Sequence, residues 1–367
     1  MKYYIIAGEA SGDLHGSNLL AGLRTVDPSA DFRAWGGDMM AAQGAVIVKH
    51  YRDLAFMGFV EVVANLRTIL SNLSFCKKDI LEYKPDAVIL IDYPGFNLRI
   101  AKFLHQNGIK VIYYISPQVW AWKKSRVHTI KKVVDKLIVI LPFERDFYKQ
   151  YDIEAEFSGH PLLDALPEPR KETPTHPDHR PVVAMLPGSR KQEIKKVLPV
   201  MLSILQDFPE VDFAIAGVPS IGANYYKKIV GNNPVKVVMN ETYPLLEKAR
   251  AALVTSGTAT LETALISVPE VVCYKAGSIS YAIARRLIKV KYISLVNLIM
   301  DRLVVKELIQ SDLNRFNLRG ELSNLLYNQK YRDDMFNSFA VLRNHLGGKG
   351  ASLRAATGIY HFLTATT

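Results

Sequence analysis

Short apolar runs alternate along this chain with longer stretches of helical periodicity. Residues 3–8, 85–92, 111–115, 136–141, 182–186, 211–216, 235–238 and 251–255 are rich in Tyr, Val, Ile, Leu, Phe and Ala. Several are apolar at nearly every position, the pattern of parallel strands buried on both faces. Weaker strand patterns lie near Phe32–Trp35 and Val46–Val48. Helical spacing follows several strands: Leu19, Leu20 and Leu23 after the first, Leu98, Ala101 and Leu104 after the run ending at Asp92, and Leu261, Ala264 and Leu265 after the run ending at Thr255. Beyond residue 299 the pattern reads as helical to the C-terminus.

This βα rhythm breaks at residues 165–181, which are polar and rich in proline, and then restarts at Val182. The fold class expected is α/β, with two Rossmann-like lobes facing a cleft: residues 1–165 and residues 180–344. Residues 345–367 either cross back to the first lobe or swap onto a neighbouring chain.

Strand-to-helix turns are where such folds bind ligands. Val254-Thr255-Ser256-Gly257-Thr258-Ala259-Thr260-Leu261-Glu262 passes from a strand through a tight turn into a helix. Unpaired N–H groups and a partial positive charge at the helix start suit an anion. Glu262 lies four residues after Thr258, on the same helix face, where a carboxylate can accept from ribose hydroxyls. The turn fits a sugar-nucleotide diphosphate, or an ordinary capped helix. Pro187-Gly188-Ser189-Arg190 is a second such turn, whose arginine can pair bidentately with a diphosphate. Gly8-Glu9-Ala10-Ser11-Gly12-Asp13 is a third, without the Gly-x-Gly-x-x-Gly spacing of a dinucleotide site, and reads equally as a tight βα turn with Ser11 or Asp13 as cap. Asp92 ends a buried strand, as either a general base or a turn acid. Trp120 and Trp122, beside Lys123 and Lys124, form either a sugar-stacking edge or an apolar lid.

Composition narrows the partners. The 367 residues carry a formal net charge of +11 and a pI near 9.4, which favours anionic partners. The cations are dispersed and accompany no nucleic-acid motif, so phosphorylated small molecules and acidic membrane surfaces are expected and nucleic acid is not. The residues Phe59, Val62, Val63, Leu66, Ile69, Leu70 and Leu73 share one helix face, either core or a patch that dips into a membrane. The basic stretch from Ile283 to Lys291 is a solvated face or a headgroup contact. No run is long enough to span a bilayer, and the first strand begins without a signal-peptide pattern. Two cysteines, Cys76 and Cys273, without metal-ligand spacing fit a reduced, cytoplasmic protein.

Taken in order, these stretches resemble the lipid-A-disaccharide synthase family of GT-B-fold inverting glycosyltransferases. The resemblance rests on Gly8–Asp13, Met57–Val62, Ile91–Asn97, Ser116–Trp122, Leu141–Glu144, Gly159–Leu162, Leu186–Arg190, Ser256–Glu262 and Tyr292–Leu298. It implies metal-independent transfer, without a cofactor, of 2,3-diacylglucosamine from UDP-2,3-diacylglucosamine to 2,3-diacylglucosamine 1-phosphate. The products are a β-1,6-linked disaccharide 1-phosphate and UDP, in lipid A biosynthesis. Asp92 stands where the family's proposed base lies. Gly188, Ser189, Arg190, Ser256, Gly257 and Thr258 would hold the diphosphate and Glu262 the ribose. Ser11, Gly12, Asp13, Asn297 and Trp120 would serve the acceptor side or support activity. Phe59, Val62, Val63, Leu66 and Leu70 would meet acyl chains at an anionic inner-membrane surface, making this a cytoplasmic, peripheral enzyme, as monomer or homodimer.

The sequence departs from the family pattern at His15, Gly95, Gln118, Val296 and Asp301. Gly95 removes a carboxylate near Asp92 and argues against a paired-carboxylate mechanism. Two other readings of a two-lobed α/β chain stand beside this one: a GT-B-fold UDP-sugar epimerase and a non-enzymatic two-lobed binding protein.

Overall fold

The structure, a computed structural model, describes residues 1–54, 66–120, 125–169, 180–277 and 291–365. The chain divides into two units, Met1–Ala165 with Leu346–Thr367, and Leu166–His345. In the first unit the strands are β1 (Lys2–Ala7), β2 (Asp31–Gly36), β3 (Val46–His50), β4 (Ala87–Ile91), β5 (Lys110–Tyr114), β6 (Lys136–Val139) and β7 (Ala155–Phe157). They form a parallel sheet in the order β3-β2-β1-β4-β5-β6-β7.

Alternation along each strand sends side chains to opposite faces, and both faces are covered. Tyr3, Ile5, Ala7, Ile89 and Ile91 pack with Leu19, Leu20 and Leu23. Tyr4, Ile6, Val88 and Leu90 pack with Cys76, Ile80, Ile100 and Leu104. Double-sided burial is why these strands read as continuous apolar runs.

The last helix, Ala351–Thr364, returns to this first unit. Its Ala355, Ala356 and Ile359 join the core beneath the first helix, Ala10–Val26. Both Asp164 carboxylate oxygens accept amides at its start, from Gly350 at 2.6 Å and Ser352 at 2.8 Å.

The second unit contains β8 (Val182–Leu186), β9 (Asp212–Gly217), β10 (Lys236–Met239), β11 (Ala249–Thr255), β12 (Glu270–Tyr274) and β13 (Lys306–Ile309). They form a parallel sheet ordered β10-β9-β8-β11-β12-β13. β13 corrects the expectation of helix throughout the C-terminal region. It is a four-residue edge strand paired to β12, too short for its alternation to stand out.

The expected lipid-contact residues Phe59, Val62 and Val63 lie outside the described residues, as do Trp122 and residues 283–290 of the basic stretch. Leu66 begins the helix Leu66–Tyr83. On that helix Leu73, Cys76 and Ile80 are buried, whereas Leu70 is 53% and Phe75 47% exposed. Among the described residues no helix is long and apolar enough to cross a membrane.

Candidate functional site

Parallel α/β sheets bind ligands beyond the carboxyl ends of their strands, where the strand order reverses. In the first unit that switch point lies between β1 and β4, paired through Ile6 with Leu90 and Ala7 with Ile91. Gly8-Glu9 leaves the end of β1, and Asp92-Tyr93 leaves the end of β4. The two turns touch: a Cβ on Gly8 would lie 2.6 Å from the Tyr93 ring, so only glycine leaves room for it.

Asp92 and Tyr93 are both left-handed, with φ of 43° and 47°. Two consecutive non-glycine residues in this region cost on the order of 1–2 kcal/mol each. Their surroundings hold them there. The Asp92 carbonyl accepts from the Tyr113 hydroxyl at 2.6 Å and from Asn97 Nδ2 at 2.8 Å. The Asp92 amide donates to the Ile115 carbonyl at 3.2 Å. Asn97 and Tyr113 are completely buried. Pro94 then opens the helix Pro94–Gln106, with φ preset for its first turn.

This geometry aims the Asp92 carboxyl outward from a crowded rim. Although its surface remains accessible, the surrounding protein strips away enough water to raise its pKa to about 6. The charge of Glu9 adds to the rise, and the Tyr93 amide opposes it. Among exposed groups a base of this strength suits proton abstraction near neutral pH.

Sequence reasoning missed Glu9, Asn97, Tyr113 and Glu144 as members of this site. Glu144 is buried and pushed up to about 7, mainly by desolvation, with a contribution from Asp92. Its Oε1 accepts from Trp120 Nε1 at 3.0 Å, and its Oε2 accepts from the Leu141 amide at 3.0 Å. Trp120, half-buried and edge-on to Phe143, is thereby fixed in orientation. The placement of Pro142-Phe143-Glu144 at a helix start was the available signal.

The turn after β1 contributes unequally. Ser11 is exposed, whereas Gly12 and Asp13 are buried. A Cβ on Gly12 would stand 3.0 Å from that of Ala7. Asp13 accepts the amides of Gly37 at 2.7 Å, Met39 at 3.1 Å and Met40 at 3.1 Å, and so caps the helix Asp38–Ala42.

In the second unit the switch point falls between β8 and β11, paired through Met185 with Leu253 and Leu186 with Val254. Both phosphate-type turns leave it. Gly188 has φ of 111°, and a Cβ there would meet Glu193 Oε2 at 2.8 Å. That turn brings Ser189 and Arg190, both exposed, to the start of the helix Lys191–Leu202. Among the described residues the Arg190 guanidinium is held only by an exposed contact of 3.5 Å with Glu193.

Gly257 and Thr258 are exposed at the start of the helix Thr258–Leu265. Ser256 donates its hydroxyl to the Ile293 carbonyl at 3.0 Å. Glu262, half-buried, accepts from the Tyr243 hydroxyl at 3.1 Å, and burial raises its pKa. Tyr243 is thus a further neighbour that sequence reasoning missed.

Asn297 is buried with every side-chain hydrogen-bonding position used, to Val304, Val305 and Glu307. Asp301, where the resembled family usually has glycine, ends the helix Leu295–Met300 with φ of 47°. Aspartate tolerates that conformation better than most side chains. Gly95 is exposed with open space around it.

The family model described as lipid-A-disaccharide synthetase matches residues 3–348. The lipid-A-disaccharide synthase of Syntrophus aciditrophicus (strain SB) is 42% identical over 364 residues, covering 96% of this chain and 95% of its own. Among solved structures, a UDP-GlcNAc 2-epimerase from Neisseria meningitidis bound to UDP-GlcNAc superposes with a TM-score of 0.68 at 12% identity, covering 98% of this chain and 100% of its own. A glycosyltransferase of kitacinnamycin reaches 0.66 at 14% identity, over 99% of each chain. The structural likenesses concern the fold alone.

Proposed function

The chain belongs to the lipid-A-disaccharide synthase family, and from that premise we propose how its residues divide the reaction. It is a hexosyltransferase that moves 2,3-diacylglucosamine from UDP-2,3-diacylglucosamine to 2,3-diacylglucosamine 1-phosphate. The products are the disaccharide 1-phosphate and UDP. The epimerase alternative is not favoured, because its support is a shared fold at 12% identity.

In our reading Asp92 takes the proton from the acceptor's 6-hydroxyl. The hydroxyl oxygen bonds to the donor's anomeric carbon as the bond from that carbon to the diphosphate breaks. UDP leaves with the electron pair, and attack from the opposite face inverts the configuration. Arg190 and the helix start at Gly257-Thr258 receive the charge that grows on the diphosphate, where preorganised donors are worth most. Glu262 accepts from the ribose, and Trp120 lines the acceptor side. No cofactor or metal takes part in this scheme. The observation that carries it is Asp92, its backbone held at a switch point and its carboxyl raised to about 6.

The test is incubation with both lipid sugars, read by mass spectrometry. UDP and the phosphorylated disaccharide should appear in equal amounts, and only when the acceptor is present. An epimerised UDP-sugar without disaccharide would refute the reading.

We further place the enzyme at the cytoplasmic face of an acidic membrane. The support is the charge of +11, the exposed Leu70 and Phe75, and two lipid substrates. At low salt the protein should float with vesicles containing anionic lipid and not with neutral ones. Equal flotation with neither would remove the membrane assignment.

A further inference from the structure

We propose that Glu307 is a positioning residue for the nucleotide turn, acting through the backbone of residues 293–294 and then Ser256. The inference rests on the assignment of Ser256–Thr258 to the diphosphate. Glu307 projects from the edge strand β13, a part of the chain whose strand character the sequence pattern concealed. Its Oε1 accepts from the Ser294 amide at 2.9 Å, the Ile293 amide at 3.2 Å and Asn297 Nδ2 at 2.9 Å. Its Oε2 accepts from the Ile293 amide at 3.0 Å.

Asn297 completes the clasp. Its Nδ2 also donates to the Val305 carbonyl at 2.8 Å, and its Oδ1 accepts the amides of Val304 and Val305 at 2.8 and 3.0 Å. That is the full capacity of a carboxamide, so Asn297 has nothing left to offer a substrate. The Ser294 hydroxyl accepts the Asn297 amide and caps the short helix behind the clasp. These bonds fix the Ile293 carbonyl, which accepts the Ser256 hydroxyl at 3.0 Å. The Ser256 amide has a longer bond, 3.4 Å to the Cys273 carbonyl. The hydroxyl link is therefore the tighter tether between the turn and its surroundings.

The chemistry explains why a carboxylate stands at position 307. Among the described residues every group hydrogen-bonded to it is an N–H donor, and a carboxylate is acceptor-only. A glutamine would either turn its own NH₂ against those donors or leave some unpaired.

UDP titration into wild type, Glu307→Gln, Ser256→Ala, the double variant and Arg190→Ala tests the proposal. Glu307→Gln and Ser256→Ala should each weaken UDP binding about ten-fold, the scale of one net hydrogen bond. The double variant should be no weaker than the worse single one, because both act through one link. The acid limb of the pH–rate profile, which belongs to the first unit, should stay where it is. A merely structural role would lower thermal stability without this shared loss of affinity.

Wild-type affinity in Glu307→Gln, or losses that multiply in the double variant, would overturn the proposal. Should Glu307→Gln fail to fold, Glu307→Asp takes its place in the same cycle under the same criteria. The Arg190→Ala arm separates two failures. If it binds UDP weakly while the Glu307 variant binds normally, only the positioning role falls. If it too binds normally, the nucleotide-site assignment falls as well.

Discussion

Replacing Asp92 by asparagine is expected to lower kcat by about 10²- to 10⁴-fold while UDP affinity and folding stay at wild-type levels. The substitution isolates the charge. The strained turn is held through the Asp92 carbonyl and amide, by Tyr113, Asn97 and Ile115, and none of these contacts uses the carboxylate. Asparagine is one of the few residues that accepts a φ of 43° readily, so the backbone has no reason to relax. The nucleotide turns belong to the other unit and keep their residues. Initial rates together with UDP titration read the two effects separately. Wild-type turnover in Asp92→Asn would remove the carboxylate from the chemistry. Lost UDP binding would place it in a different role.

Removing the Arg190 side chain should act on the other half of the reaction. Its side chain is 63% exposed and, among the described residues, bound only to Glu193 at 3.5 Å, a surface pair worth at most about 1 kcal/mol. The free protein should therefore fold normally as Arg190→Ala. A charge-assisted bond to a diphosphate is worth roughly 1.5–3 kcal/mol. UDP affinity should accordingly fall about ten- to a hundred-fold, and kcat should fall too because charge grows on the departing diphosphate. Arg190→Lys should recover only part of the loss, since an ammonium keeps the charge but not the bidentate fork. Unchanged UDP affinity in Arg190→Ala would assign the diphosphate elsewhere.

The parts of this protein legible in its sequence are those whose physics is local. β1, β4, β8 and β11 sit at the centres of their sheets with both faces buried, so each appears as an apolar run followed by a turn. The turns at Asp92, Gly188 and Gly257 follow from those strand ends. β7 and β13, of three and four residues at sheet edges, carry too little pattern to be seen.

What escaped at the sites was long-range pairing. Asp13 looks like a ligand-facing turn acid, yet its partners are amides 24 to 27 residues away. Asn297 stands among the residues expected to support activity, yet its side chain is taken up by Val304, Val305 and Glu307. The left-handed turn at Asp92-Tyr93 gives no glycine signal, because Tyr113 and Asn97 enforce it from outside. Glu144 was visible as a helix-start acid, but its bond to Trp120 depends on a strand and loop 24 residues earlier.

The pH dependence of kcat/KM for disaccharide formation tests the role of Asp92 most directly, since this quantity reports the ionisation of the free enzyme. A base works only when deprotonated, so activity should be lost as pH falls through the raised pKa of about 6. Removing the neighbouring charge as Glu9→Gln lets the carboxylate ionise more easily and should move that limb to lower pH. An acid limb near 6 that shifts downward in Glu9→Gln is the predicted result. A profile flat from pH 5 to 8, or a limb that Glu9→Gln leaves in place, would contradict it.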